Sequence, residues 1–366
     1  MNTTHYGEGL LALRYLKSMA IGGGDNAAAI GYAEARADWG VDRASVVRQL
    51  KSALSGLSIG ETTGGASDVR HDLLAALRPL TIVGRLPLRR QPPRMPFLTQ
   101  TGPARAYWVG ESKARRMTVG SYSRDGEGLI TKTVAALTVA TSEALEDKSI
   151  DAENALLADL LDACAEGLDR AFIDRLNTGS ASTPASINSA VTPIPASGVS
   201  LDDLDADFAM AIRQLSDAGS NLRAAYWVMP SYFAARLALT RGIDGGPAYP
   251  GLGALGGQLA GLPVITSAAA EAEANSDDLA DVTLLDASQI SFAEEEPTLR
   301  TSTNAVIEMD TAPTGASDTP TAASATMVSM FQAECVALLA QMSVNWSVRR
   351  EGMVQVISGM SSVIES

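Results

Sequence analysis

Gly251, Gly253 and Gly256, in the run GLGALGG, have the GxGxxG spacing with which a strand-to-helix turn holds a dinucleotide pyrophosphate. That chemistry needs a strand just before the first glycine and a helix starting inside the motif. Here Gly245 to Pro250 (GGPAYP) precede it, and Gly261, Leu262 and Pro263 end any helix after about one turn, so the run reads as a flexible loop. His5 and His71 have no sequence neighbour that would make either a general base, and with Cys164 and Cys335 they form no metal-ligand spacing. Two cysteines so far apart also argue against a disulfide framework. No phosphate-binding GxxxxGK run, GxSxG elbow or HExxH pair is present. Glu143, Glu146 and Asp147 are near enough to one another to be paired carboxylates, but nothing marks a pocket around them, and they read as the solvated approach to a helix. The expected catalytic, cofactor-binding and metal-binding sets are therefore all empty.

Charge carries more information. The 366 residues hold 28 Lys and Arg against 42 Asp and Glu, a net of -14. Residues 84–132 run against that total, with ten basic residues to three acidic ones, a net of +7. Residues 133–366 have ten to 31, a net of -21. Each such charge reads equally well as solvated surface; the sharper expectation is a basic segment that lies on the acidic surface of a neighbouring copy. The candidate contact residues are Arg85, Arg89, Arg90, Arg94, Arg105, Trp108, Lys113, Arg115 and Arg116. Single-strand nucleic-acid binding fits less well, because the aromatic interleaving is limited to Tyr107, Trp108 and Tyr122. At 46% hydrophobic residues the chain can bury a sizeable core. Its apolar stretches stop short of the roughly 18 residues that span a bilayer, and its start lacks a secretory pattern, so it reads as a soluble intracellular product without a membrane partner.

The elements that must position these charges follow from periodicity and breakers. Residues 1–60 read as short helices broken at Gly22, Gly23 and Gly24, without a dense large-apolar face, and are expected to gain order from an assembly. GETTGGAS, residues 60–67, reads as a joint, and a helix is predicted from Val69 to Leu77. Pro79, Pro87, Pro92, Pro93 and Pro96 then force extended backbone, and the basic segment reads as a two-stranded excursion. A strand over Leu129 to Ser142 leads to a long helix over Asp151 to Asn177. Leu157, Leu160, Leu161, Cys164, Leu168 and Phe172 share one face of it, with Asp159, Asp162, Glu166 and Asp169 placed on the surface. Ser200 and Asp203 form a capping box for a helix over Leu201 to Ala218. An α/β unit follows, with strands at Ala224 to Met229, Leu262 to Thr266 and Val282 to Leu285 around a helix that starts at Pro230 as its first residue. Ile290 to Phe292, Thr298 to Glu308, Met327 to Leu339, Val344 to Arg349 and Met353 to Ile357 complete the strands.

The segments LRPLTIVGRLPLRR, AYWVGESKARRMTVGSYSR, SEALEDKSIDAE with the long helix after it, AAYWVMPSYFAARLAL, GLPVITS, VTLLDASQISFAEE and MFQAECVALLAQMSVNWSVRR occur in an order that resembles the major capsid proteins of tailed bacteriophages with the Hong Kong 97-type fold. The resemblance runs from about residue 69 to the C-terminus. It implies an α+β chain with an N-terminal arm and joint (1–68), a lead-in and E-loop hairpin (69–128), and a peripheral domain (129–190) with a spine helix over 151–177. It further implies an axial α/β domain (191–290), peripheral return strands (291–350) and a C-terminal strand (351–366). The implied function is a non-enzymatic subunit that self-assembles into hexamers and pentamers of an icosahedral shell around double-stranded DNA.

Other implications of the resemblance concern partners. A portal protein and possible decoration proteins would bind the shell, the packaged DNA would be contacted non-specifically, and assembly would take place in the bacterial host cytoplasm. Only about 60 residues precede the joint, where many members carry a large scaffolding segment, which implies a separate scaffold or self-assembly. Some members join subunits by an isopeptide bond from an E-loop lysine to an asparagine, helped by a glutamate. Lys113 is near the right place, but Thr326 to Ala333 contain neither Asn nor Glu, so no cross-link is expected. Gln332 and Glu334, read as two residues apart on a strand, are the nearest groups of suitable chemistry. An encapsulin-type nanocompartment shell is the alternative within the fold, and a nucleotide-binding cytosolic enzyme resting on GLGALGG is a remote one.

Overall fold

The computed structural model describes residues 9–54, 66–96, 98–100, 122–124, 128–146, 150–242, 245–270, 279–308 and 327–361. They form two compact units. The first holds residues up to 80, 135–165 and 296–342; the second holds 81–134, 166–295 and 343 onward.

In the first unit the helices Leu10–Ile21, Asn26–Ala35 and Val41–Leu54 turn back on one another. Gly23 and Gly24 make the first reversal, both with positive φ that a β-carbon would strain. Asp25 then caps the second helix by accepting the Ala27 N–H at 3.1 Å. Ala29, Ile30, Ala33, Trp39, Val46 and Leu50 form a buried cluster of their own. These helices, expected to depend on neighbours for order, thus have an internal core. Its small alanines let the helices approach closely without the large-apolar stripe that the sequence lacks. Helix Ala66–Leu77 lies against the first helix, and its Asp72 accepts the backbone N–H groups of Leu11 at 3.1 Å and Ala12 at 3.4 Å. A side chain 60 positions away therefore does the capping that Gly9 cannot. Strand Thr298–Ser302 pairs antiparallel with the first part of Cys335–Val348, and Val306–Glu308 pairs with Met327–Ser329.

The second unit is built on a seven-stranded sheet. Its spatial order is Ile194–Pro195, Val354–Ser361, Leu279–Asp286, Ala225–Met229, Leu262–Thr266, Gly256–Leu259 and Leu252–Gly253. The helices Leu201–Asp217 and Ser231–Leu239 cover it, and Leu204, Phe208, Leu215, Trp227, Phe233, Leu237, Leu284 and Ile357 meet in one buried apolar cluster. The predicted capping box at Ser200 and Asp203 is present. Pro230 stands at the N-cap, one position earlier than expected, with the helix beginning at Ser231. Strand Ile290–Glu294 pairs with the last residues of Cys335–Val348 on one side and with Arg89–Arg90 on the other. The two strands predicted at Met327 to Leu339 and Val344 to Arg349 are instead a short strand, a turn and one uninterrupted 14-residue strand.

The long helix is Ile150–Ile173, 24 residues and about 36 Å at 1.5 Å per residue. It stops short of the predicted Asn177. Asp174 accepts the Leu176 N–H and the Asn177 amide donates to the Ala171 and Pro184 carbonyls, and these side-chain bonds replace the next helical turn.

Candidate assembly surface

The basic segment is not uniform. Arg85, counted with the excursion, sits in a helical turn at Ile82–Arg85 that Thr81 caps, and its guanidinium donates to the Thr266 carbonyl at 2.9 Å. Its side chain stays exposed, near Asp169, so it ties the turn to the strand Leu262–Thr266 from the surface. Arg90 is ion-paired with Glu294 of the neighbouring strand and lies over the Phe292 ring at 5.5 Å. Arg89 and Arg94 are exposed. Leu98–Gln100 and Tyr122–Arg124 pair antiparallel; the rest of the predicted two-stranded excursion lies outside the described residues. Arg105, Trp108, Lys113, Arg115 and Arg116 lie outside the described residues.

Acidic surface for such a segment is present in the first unit. Asp151, Asp159 and Asp162 recur on one exposed side of the long helix, at steps of eight and three, and Glu143 and Glu146 are exposed on the short helix before it. Asp147 lies outside the described residues. The outward face follows from the opposite one, where Leu157, Leu160, Leu161 and Cys164 are buried. Cys164 is core packing as expected, with burial pushing its thiol up to about 11; both cysteines are free.

Asp169 corrects the surface reading. It is 2% exposed and accepts the Ile82 N–H at 2.7 Å and the Ser267 hydroxyl at 2.8 Å. Burial pushes its carboxyl up to about 7, against the pull of those two donors and of Arg85. Its place in the sequence, one step from apolar Leu168, looks like the helix's solvent flank. The partner that buries it, Thr81 to Arg85, is more than 80 positions away.

Two further expectations change. GLGALGG is no flexible loop: Leu252–Gly253 and Gly256–Leu259 form a tight antiparallel pair at the sheet's edge, with Leu255 exposed at the turn. Gly257, at φ 143, has no room for a β-carbon beside the Gly251 carbonyl, so these glycines serve close strand approach. The strand–glycine-turn–helix needed for a dinucleotide is not formed there. Gln332 and Glu334 lie in the turn between strands, and Glu334 has φ 51, so the shared strand face inferred for them does not exist.

One cluster escaped the sequence reading. Glu153, 2% exposed on the long helix, receives Arg14 Nε at 3.1 Å and Lys17 Nζ at 3.1 Å, with an Arg36 nitrogen at 3.7 Å. Arg14 also pairs through a second nitrogen with Asp42 at 2.6 Å, and the Arg36 nitrogen nearest Glu153 is itself held by Asp38 at 2.6 Å. Both guanidinium groups also lie over Trp39, at 5.5 and 4.9 Å. A signal was available: Arg14 and Lys17 interrupt the apolar run LLALRYLKSMAI, whose neighbours Leu13 and Leu16 are core positions.

Residues 75–358 match the Phage capsid family. The chain belongs to the phage capsid family. Membership gives it a structural role, that of a capsid subunit. The capsid polyprotein of Pseudomonas phage PAJU2 is 33% identical over 376 aligned positions, which cover 98% of this chain and 55% of that protein. The chain therefore spans about half the length of this curated relative. Solved structures from Mycobacterium phage Ogopogo (TM-score 0.52, 17% identity, 76% of this chain and 91% of that one) and Gordonia phage Cozz (0.51, 16%, 76% and 86%) share the fold. The α+β Hong Kong 97-type architecture is thereby shown.

Proposed function

We propose that the chain is the major capsid subunit of a tailed phage or prophage, assembling into hexamers and pentamers of an icosahedral shell around double-stranded DNA. The observation that carries this reading is the family match over residues 75–358, joined to the fold shared with solved phage structures. The domain boundaries expected from the resemblance, with an E-loop over about 84–128, belong to the same proposal. In it the basic segment of one copy crosses the exposed carboxylates of the long helix of the next, and it has no catalytic step. Each surface pair contributes roughly 0–1 kcal/mol, but a shell repeats the contact in every subunit. Portal, scaffold and decoration proteins, and assembly in the host cytoplasm, complete the reading.

Electron microscopy of particles from expressing and infected cells tests it. Closed shells, filled with DNA when the packaging proteins are present, are the expected result. Shells filled with protein cargo would favour the nanocompartment alternative, and discrete small oligomers alone would overturn the shell reading.

A further inference from the structure

Asp169 is a buried carboxyl with a cation close to it but not on it. One oxygen, Oδ1, accepts the Ile82 N–H at 2.7 Å, and the other, Oδ2, meets the Ser267 hydroxyl at 2.8 Å. Among the described residues neither oxygen has a cationic partner. The Arg85 guanidinium acts on it through space, while donating to the Thr266 carbonyl at 2.9 Å, one residue before Ser267. On Asp169's own helix Arg170 and Glu166 are exposed and paired with each other at 3.2 Å. The turn Ile82–Arg85 adds no charge except Arg85, and Thr266 to Ala270 add none.

We propose that Asp169, Ser267 and Arg85 form a proton switch: with Asp169 neutral, Arg85 stays on the Thr266 carbonyl, and with Asp169 ionised, Arg85 leaves that carbonyl for the carboxylate. The Ile82 amide can only donate, so a proton on Asp169 must sit on Oδ2 and point at Ser267 Oγ. That hydroxyl serves either state. It accepts from neutral Asp169, as it accepts the Ala269 N–H at 3.3 Å, and it donates to ionised Asp169. Neutral Asp169 is therefore satisfied where it stands. The ionised form is not, because a carboxylate 2% exposed and held by two neutral donors is costly, and the cation that would relieve it is on an exposed side chain whose anchor adjoins Ser267. Burial pushes the carboxyl up to about 7, which puts the change near neutral pH. Arg85 is the first cation of the basic segment, so one proton decides whether that charge is neutralised within the chain. The turn's backbone need not move, and Ile82, Val83 and Leu86 stay buried in both states. The proposal concerns the single chain and does not depend on the shell reading.

High-resolution structures of the full-length chain at about pH 5.5 and about pH 8.5, on either side of the Asp169 midpoint, test it. At the lower pH an Arg85 nitrogen should lie within about 3.2 Å of the Thr266 oxygen, and at the higher pH within about 4 Å of an Asp169 carboxylate oxygen. In Asp169→Asn, whose amide keeps the neutral hydrogen-bond pattern, Arg85 should hold the Thr266 carbonyl at both pH values. An Arg85 that keeps one position at both pH values in the wild type overturns the switch. So does one that moves equally in Asp169→Asn, because another group would then be titrating. A second measurement leaves the buried site intact. In Arg85→Gln the pH at which the Asp169-linked stability is lost, followed by denaturant unfolding, should rise by about one pH unit, because the ionised form loses its cation. A midpoint that does not rise also overturns the proposal.

Discussion

The seven-stranded sheet and the N-terminal helices are both organised from inside, by opposite means. In the sheet unit Trp227, Phe208, Phe233, Leu284 and Ile357 exclude water with apolar surface, and edge-to-face rings such as Phe208 on Trp227, 5.4 Å between centroids, set the packing. In the helices a modest alanine-rich core is supplemented by four buried charged groups that are tolerable only together. Apolar burial is non-directional and spread over many side chains, so it degrades gradually. A charge cluster is specific and fails at one residue.

The largest expected stability effect lies in the apolar region. Trp227→Ala should cost about 3–5 kcal/mol, measured by denaturant unfolding with a probe in the sheet unit, and should leave exchange in Leu10–Leu54 unaltered relative to the global loss. A cost below about 1 kcal/mol would mean that the cluster around Trp227 is not the unit's core.

A smaller effect sharpens the contrast between the two buried carboxylates. Asp169 is held mainly by neutral donors and Glu153 by cations. Because burial raises the Asp169 pKa from 3.8 to about 7, the native state binds the proton more tightly than the unfolded state does. The stabilisation is fully present below about pH 4 and is lost as pH rises through about 7, which amounts to roughly 2–3 kcal/mol between pH 5 and pH 8. Asp169→Asn should flatten that part of the stability–pH curve. A wild-type curve that rises from pH 5 to pH 8, with a slope that Asp169→Asn leaves unaltered, would contradict this assignment.

What the sequence revealed divides along the same line. The capping box at Ser200, the strand Leu262–Thr266, the apolar stripe of the long helix and the break at Gly22 to Gly24 were all legible, because each depends on residues within a few positions of one another. The burial of Asp169 and the convergence of Arg14, Lys17 and Arg36 on Glu153 were not, because the partners are separated by up to 139 positions; the interruption of the first helix's apolar run marks Arg14 and Lys17 but not the carboxylate they meet. GLGALGG reads as a loop in the sequence because glycines that permit close strand approach have the same local appearance as glycines that permit flexibility. The basic segment was legible as charge, but not that Arg85 and Arg90, both exposed, also have partners within their own unit.

The central claim is that the basic segment drives assembly by resting on the acidic surface of a neighbouring copy. Sedimentation velocity of Arg115→Glu/Arg116→Glu beside the wild type, at low and moderate salt, tests it most directly, because reversing two charges repeats in every subunit of a shell. The predicted result is a variant that keeps its fold by circular dichroism but stays as slow-sedimenting subunits or small oligomers where the wild type forms shells. Shells in wild-type yield from the variant at both salt concentrations would contradict it.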